Sequence, residues 1–120
     1  MPTPTIEQLL LEAMEADETF WFVRSLVITE RTDRTITIHL QINDDLFIQT
    51  FLSLRSNRLS LALVSGAGRL YGCDYERGGW HYHPFGETDV HAPMPMGMSP
   101  RPLLQFVAMV EELLLAHDLL

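Results

Sequence analysis

The sequence has no lysine: all eight basic side chains are arginines, set against 16 acidic residues. That absence excludes Schiff-base chemistry and a lysine general base at any side chain, and leaves arginine and histidine as the only side-chain cations. Cysteine is nearly absent too. The single residue, Cys73, cannot form an internal disulfide, which fits a reducing cytoplasm. No apolar run approaches the ~18 residues of a membrane span, so no membrane partner is expected. The opening Met1-Pro2-Thr3-Pro4-Thr5-Ile6-Glu7 has no positive region ahead of an apolar one and is not expected to be a secretory signal. Internal repeats and low-complexity tails are also missing. The net charge of -8 opposes broad, non-specific nucleic-acid binding but leaves room for a local arginine cluster.

The chain is 47% hydrophobic and 120 residues long, the size of one domain spanning 1–120. Residues 4–16 carry Ile6, Leu9, Leu10, Ala13 and Met14 on one helical stripe, with Thr3 or Thr5 as cap. Strand-type runs follow. Phe20 to Glu30 is aromatic and β-branched. Ile36, Ile38, Leu40 and Ile42 alternate with Thr35, Thr37, His39 and Gln41; Leu46, Ile48, Leu52 and Leu54 alternate with Phe47, Gln49, Phe51 and Ser53. Leu59, Leu61 and Leu63 repeat the pattern, and Arg69 to Cys73 reads as a further short strand. The turns between them are short, which favours an antiparallel meander over a parallel sheet. Residues 74–99 read as a long irregular segment, in which His81 to His83 is short enough to add one more strand. Ser99 then caps a C-terminal helix with Pro100 at its first position. That helix is apolar nearly all round at its end, as expected for a buried element or a homo-oligomer contact. The expected fold is α+β: a four- to five-stranded antiparallel meander packed by an N-terminal and a C-terminal helix.

Chemistry-bearing residues concentrate in Gly72 to Phe85 and at His91. In His81-x-His83 the two imidazoles share a face if the backbone is extended, fit for a metal, an anion or a proton-transfer task. Asp74, Glu76, Glu87 and Asp89 supply carboxylates to orient them. A metal-binding alternative uses His81, His83 and His91 for Zn or Cu, with Met94-x-Met96-x-Met98 adding thioethers suited to Cu(I). A structural alternative makes the histidines hydrogen-bonded anchors of the long segment. Arg77-Gly78-Gly79 reads either as a phosphate-approaching loop or as a turn needing positive φ. Cys73, beside Asp74, reads as a small buried apolar residue, because a neighbouring carboxylate opposes thiolate formation.

Leu70-Tyr71-Gly72-Cys73-Asp74, Gly78 to Phe85, His91 and the Leu103-Leu104-Gln105-Phe106 helix together resemble the TumE-like toxins of prokaryotic toxin–antitoxin systems. Asp74-Tyr75-Glu76 stands where that family often has Tyr-Asp-Asn. The resemblance implies a small cytoplasmic toxin, neutralised by a cognate helix-turn-helix antitoxin and acting on RNA or translation. It carries Asp74, His81, His83 and His91 over as the polar motif positions. The corresponding expectation is a metal-independent ribonuclease with no cofactor. In it Asp74, Arg77, His81 and His83 form the catalytic set, the two histidines exchanging protons and Arg77 stabilising the phosphate. The other expectation is a non-enzymatic interaction or small-ligand module that forms a homodimer.

Overall fold

A computed structural model describes residues 3–120; Met1 and Pro2 lie outside the described residues. The first element is helix α1, Ile6–Thr19, which starts at Thr5. The Thr5 hydroxyl accepts from the Gln8 backbone, and the Gln8 side chain accepts from the Thr5 backbone. This reciprocal box satisfies two of the donors that a helix start leaves unpaired. The stripe differs from expectation at two positions: Met14 is exposed, while Glu12 is buried.

Seven strands follow: β1 Ser25–Arg31, β2 Thr35–Gln41, β3 Leu46–Ser53, β4 Arg58–Ser65, β5 Gly68–Glu76, β6 Gly79–His83 and β7 Ala92–Pro93. They pair in sequence order, every pair antiparallel. The sheet therefore has seven strands where four to five were expected. Residues 74–99 are not one irregular segment. The β5–β6 turn needs only two residues, Arg77 and Gly78, both at positive φ (52° and 78°), the backbone of a tight hairpin. At the other end, β1 starts at Ser25, because the chain turns at Phe20 to Arg24, where the Val23 amide donates to the Phe20 carbonyl.

Helix α2, Pro102–Ala116, closes the chain. Its cap is Arg101, in the left-handed region, and not Ser99, with Pro102 rather than Pro100 at the first helical position. The Arg101 side chain does not cap. Glu12 of α1 does so instead, its Oε1 accepting from the Leu103 and Leu104 amides at 2.9 and 3.2 Å. A carboxylate there also meets the positive end of the helix dipole. Burial nonetheless dominates and holds the Glu12 carboxyl above its ordinary range, against the lowering effect of the two amides and of Arg101. An Arg101–Glu15 ion pair flanks this joint.

Both helices cover the same face of the sheet. The core joins Leu9 and Ala13 of α1, Phe106, Val107 and Val110 of α2, and the inward residues of β2 to β5, including Ile38, Ile48, Leu61 and Cys73. Tyr71 stacks on Phe106 at 5.7 Å between ring centroids. The other face carries no helix among the described residues. Its residues alternate with the core: Thr35, Thr37, His39 and Gln41 of β2 are half-buried between fully buried neighbours. Among the described residues no helix is long and apolar enough to cross a membrane.

Candidate functional site

Strand register determines what meets on the uncovered face. Thr37, Phe51, Ser60, Asp74, His81 and Pro93 lie in one cross-strand row, each opposite the next. The neighbouring row runs through His39, Gln49, Ala62, Gly72 and His83. Directly opposed residues point to the same side of an antiparallel sheet. Asp74, His81 and His83 therefore share this side, and Cys73 points away into the core.

Asp74 is the centre of the cluster. Its side chain is only 6% exposed, yet both oxygens are engaged. Oδ1 accepts from Ser60 Oγ at 2.8 Å and from an Arg69 terminal nitrogen at 3.1 Å. Oδ2 lies 3.1 Å from His83 Nε2. The other ring nitrogen of His83 lies 2.7 Å from the Thr88 carbonyl oxygen. A carbonyl only accepts, so Nδ1 carries a hydrogen, and one further proton bridges Nε2 and Oδ2. Buried charge persists where it is paired and hydrogen-bonded, and these partners meet that condition.

His83 thus ties the following segment to the sheet. That segment is held at two more points, where the Gly86 amide donates to the Leu70 carbonyl at 3.1 Å and where Phe85 stacks on His117 at 4.0 Å, and it closes on itself in turns at Pro84–Glu87 and Glu87–Val90. His91 returns one residue before β7, its ring edge-on to His83 at 4.3 Å between centroids. It is exposed. His81 is half-buried and makes no hydrogen bond among the described residues. Its Cε1 lies 3.9 Å from where a Gly79 Cβ would stand, so the ring leans over Gly79.

The sequence-expected residues are therefore divided. Asp74 and His83 bond directly, His91 touches His83, and His81 stands opposite Asp74. Arg77 is elsewhere: it occupies the exposed tip of the β5–β6 hairpin and has no hydrogen bond or ion pair among the described residues. Of the two readings of Arg77-Gly78-Gly79, the turn at positive φ is the one observed. The cation beside Asp74 is Arg69, which sequence reasoning passed over. Strict alternation from Tyr71 would send Arg69 into the core. A bulge at Leu70 breaks the ladder, so that Tyr71 pairs with Leu63 but Arg69 pairs with Val64 and emerges on the uncovered face. The guanidinium then lies across Gly72, with its terminal nitrogen 2.0 Å from where a Cβ would be. Gly72 inside a strand was the available signal, since such a glycine often marks a bulge or a close approach. Ser60 was missed as well; nothing in its own strand distinguishes it.

Other candidates resolve on burial. Cys73 is fully buried beside the Tyr71 hydroxyl, and burial pushes its thiol up to about 11, so it is protonated and unreactive at neutral pH. Met98 is buried in the core and Met94 packs against it, while Met96 is 94% exposed, so the three thioethers do not converge. His83 has no free ring nitrogen for a metal. Among the described residues no group of three or more His, Cys, Asp or Glu side chains is placed to hold one.

Comparisons with family models, curated proteins and solved structures return no match.

Proposed function

We propose that this chain is the toxin component of a TumE-like toxin–antitoxin pair, acting in the cytoplasm on RNA by metal-independent phosphodiester cleavage. The supporting observation is the pair of accessible imidazoles, His81 and His91, beside the hydrogen-bonded Asp74–His83–Arg69 cluster, on the sheet face that no helix among the described residues covers. His81 lies opposite Pro93, and His91 continues that register next to His83. Such diagonal cross-strand neighbours have α-carbons about 7–8 Å apart, a separation that lets two imidazoles address one phosphate from different sides. In this mechanism one takes the proton of a ribose 2′-hydroxyl and the other gives a proton to the leaving oxygen. His83 is a positioning residue here and not a proton carrier, because both of its nitrogens are engaged. Arg69 takes the place of Arg77 as the nearby cation. A cognate helix-turn-helix antitoxin is the expected partner.

The test is expression of the chain without antitoxin, together with incubation of purified protein with RNA in the presence of chelator. Growth arrest and RNA loss are expected, and His81→Ala with His91→Ala should abolish both. Unchanged RNA loss in the double variant removes the mechanism.

A second reading, a homodimer through α2, has its own support. Leu115 and Leu120 are 65% and 51% exposed, whereas Leu114, one residue away, is buried. Light scattering decides it: a monomer at micromolar concentration removes the dimer.

A further inference from the structure

Helix α1 and the start of α2 line a cavity of about 680 Å³ that the histidine cluster does not touch. That volume suits a small organic molecule. Pro4, Leu11, Pro100 and Pro102 supply its apolar wall, and its charged groups are Glu12, Glu15 and Arg101. Leu11 is 65% exposed, so the wall is reached from solvent.

Glu12 is the unusual member. It is only 6% exposed, and its Oε1 already accepts from the Leu103 and Leu104 amides at 2.9 and 3.2 Å. Its Oε2 has no hydrogen-bond partner among the described residues, and it is not sealed in the interior, so it opens on the cavity that Glu12 lines. Helix capping therefore uses half of this carboxylate. Arg101 does not answer the other half: its guanidinium is bonded to Glu15, and Glu12 forms no ion pair among the described residues. A nearly buried carboxylate without a counter-charge is costly to ionise. Burial, reinforced by Glu15, accordingly outweighs the two amides and Arg101 and holds the carboxyl above its ordinary range. A bound cation removes that cost.

We infer that this cavity binds a small organic amine, its ammonium group donating to Glu12 Oε2 and its apolar body resting on Pro4, Leu11, Pro100 and Pro102. The charges select this class. Two carboxylates and one arginine line the cavity, and with Arg101 bonded to Glu15 the unanswered charge is that of Glu12. An anion meets two carboxylates, and a neutral ligand leaves that charge unpaired. A metal ion lacks a ligand set, since among the described residues no group of three or more His, Cys, Asp or Glu side chains is placed to hold one. The site belongs to the helical layer and stands apart from the RNA reading.

The experiment is an amide-resolved NMR titration of the whole chain at neutral pH with benzylamine, hexylamine, benzyl alcohol and benzoate, read at the Leu103 and Leu104 amides. Both amines are expected to shift these amides saturably, with a Kd of about 1 mM or below. Benzyl alcohol should bind at least tenfold more weakly, and benzoate should not bind. Glu12→Gln keeps an oxygen for the two amides and removes the charge, and should weaken amine binding by about fivefold or more. Leu11→Arg, at an exposed helical position, places a guanidinium at the wall and should abolish amine binding; it carries the test if Glu12→Gln does not fold. Thermal melts check that each variant is folded. No saturable shift with either amine, equal affinity for benzylamine and benzyl alcohol, undiminished amine binding by a folded variant, or shifts that follow the exposed helix carboxylates instead of Leu103 and Leu104 overturn the inference. No RNA enters the measurement, so failure of the ribonuclease reading leaves this result independent.

Discussion

The two faces of one sheet are built from the same strands, yet hold themselves together in opposite ways. On the helix side, Ile36, Ile38, Leu40, Ile48, Leu59 and Leu61 are each completely buried, and their side chains make apolar contact alone. On the other side, burial among the described strand residues is confined to Ser53, Ala62, Gly72, Asp74 and His83, and at Asp74 and His83 it is achieved with hydrogen-bonded polar side chains. The difference teaches that hydrophobic packing tolerates approximate partners, whereas the Asp74 cluster requires each donor and acceptor in place. The first face specifies the fold; the second concentrates the residues able to do chemistry.

Substitutions can break that contrast. The largest effect is expected at Asp74→Ala, which leaves His83 and Arg69 without their carboxylate at a buried site. Removing one partner of a buried pair costs about 3–5 kcal/mol, measurable by urea unfolding. Leu61→Ala on the covered face should cost about 2–5 kcal/mol by the same measurement, yet leave RNA cleavage by the folded fraction intact. If the two variants lose activity in equal proportion to stability, the separation of fold and chemistry fails.

A smaller effect is expected at Gly72→Ala. The new methyl occupies the space of the Arg69 guanidinium, a mobile side-chain end that gives way and leaves Asp74. Losing a hydrogen bond to a charged group costs about 1.5–3 kcal/mol, and RNA cleavage should fall with it. Unchanged stability and cleavage would show that Arg69 is a bystander.

Glu12 allows a comparison within the covered side. Its folded carboxyl titrates above the ordinary 4.5, burial being the main cause. The protonated form is therefore favoured by folding. That contribution is complete below the unfolded value and is lost as pH rises through the raised folded one. Glu12→Gln keeps an oxygen for the Leu103 and Leu104 amides and removes the titration. Its melting temperature should be less sensitive to pH between 4.5 and neutrality than that of the wild type; parallel curves would show that Glu12 does not carry the dependence.

The smallest effect is expected at Arg77. Arg77→Asn places Asn-Gly at a hairpin tip where both residues have positive φ, the preferred pair for that turn. Stability should change by no more than about 0.5 kcal/mol, in the favourable direction, and cleavage should be unaffected. Loss of cleavage would restore Arg77 as the phosphate contact.

The period of two in Thr35–Gln41 and Leu46–Ser53 is a local property of the chain, and it named the buried and the polar faces before any contact was known. The Thr5 start of α1 was local in the same way, as was the clustering of Asp74, His81, His83 and His91. Three things were not local. The end of α2 was expected at Ser99 from its own residues, but its donors are satisfied by Glu12, more than 90 residues away. The strands β6 and β7 are too short to carry a period; β6 exists because β5 offers an edge to pair with, and β7 because β6 then offers the next one. The role of Arg69 depends on a one-residue bulge that changes which face it occupies, and on Gly72 leaving a gap for it. By itself the sequence determined which residues prefer water and which avoid it, because hydropathy and side-chain alternation are written residue by residue. Only the tertiary structure decided which charge meets Asp74 and which histidines remain accessible, because those follow from register across strands, and register is a relation between distant segments.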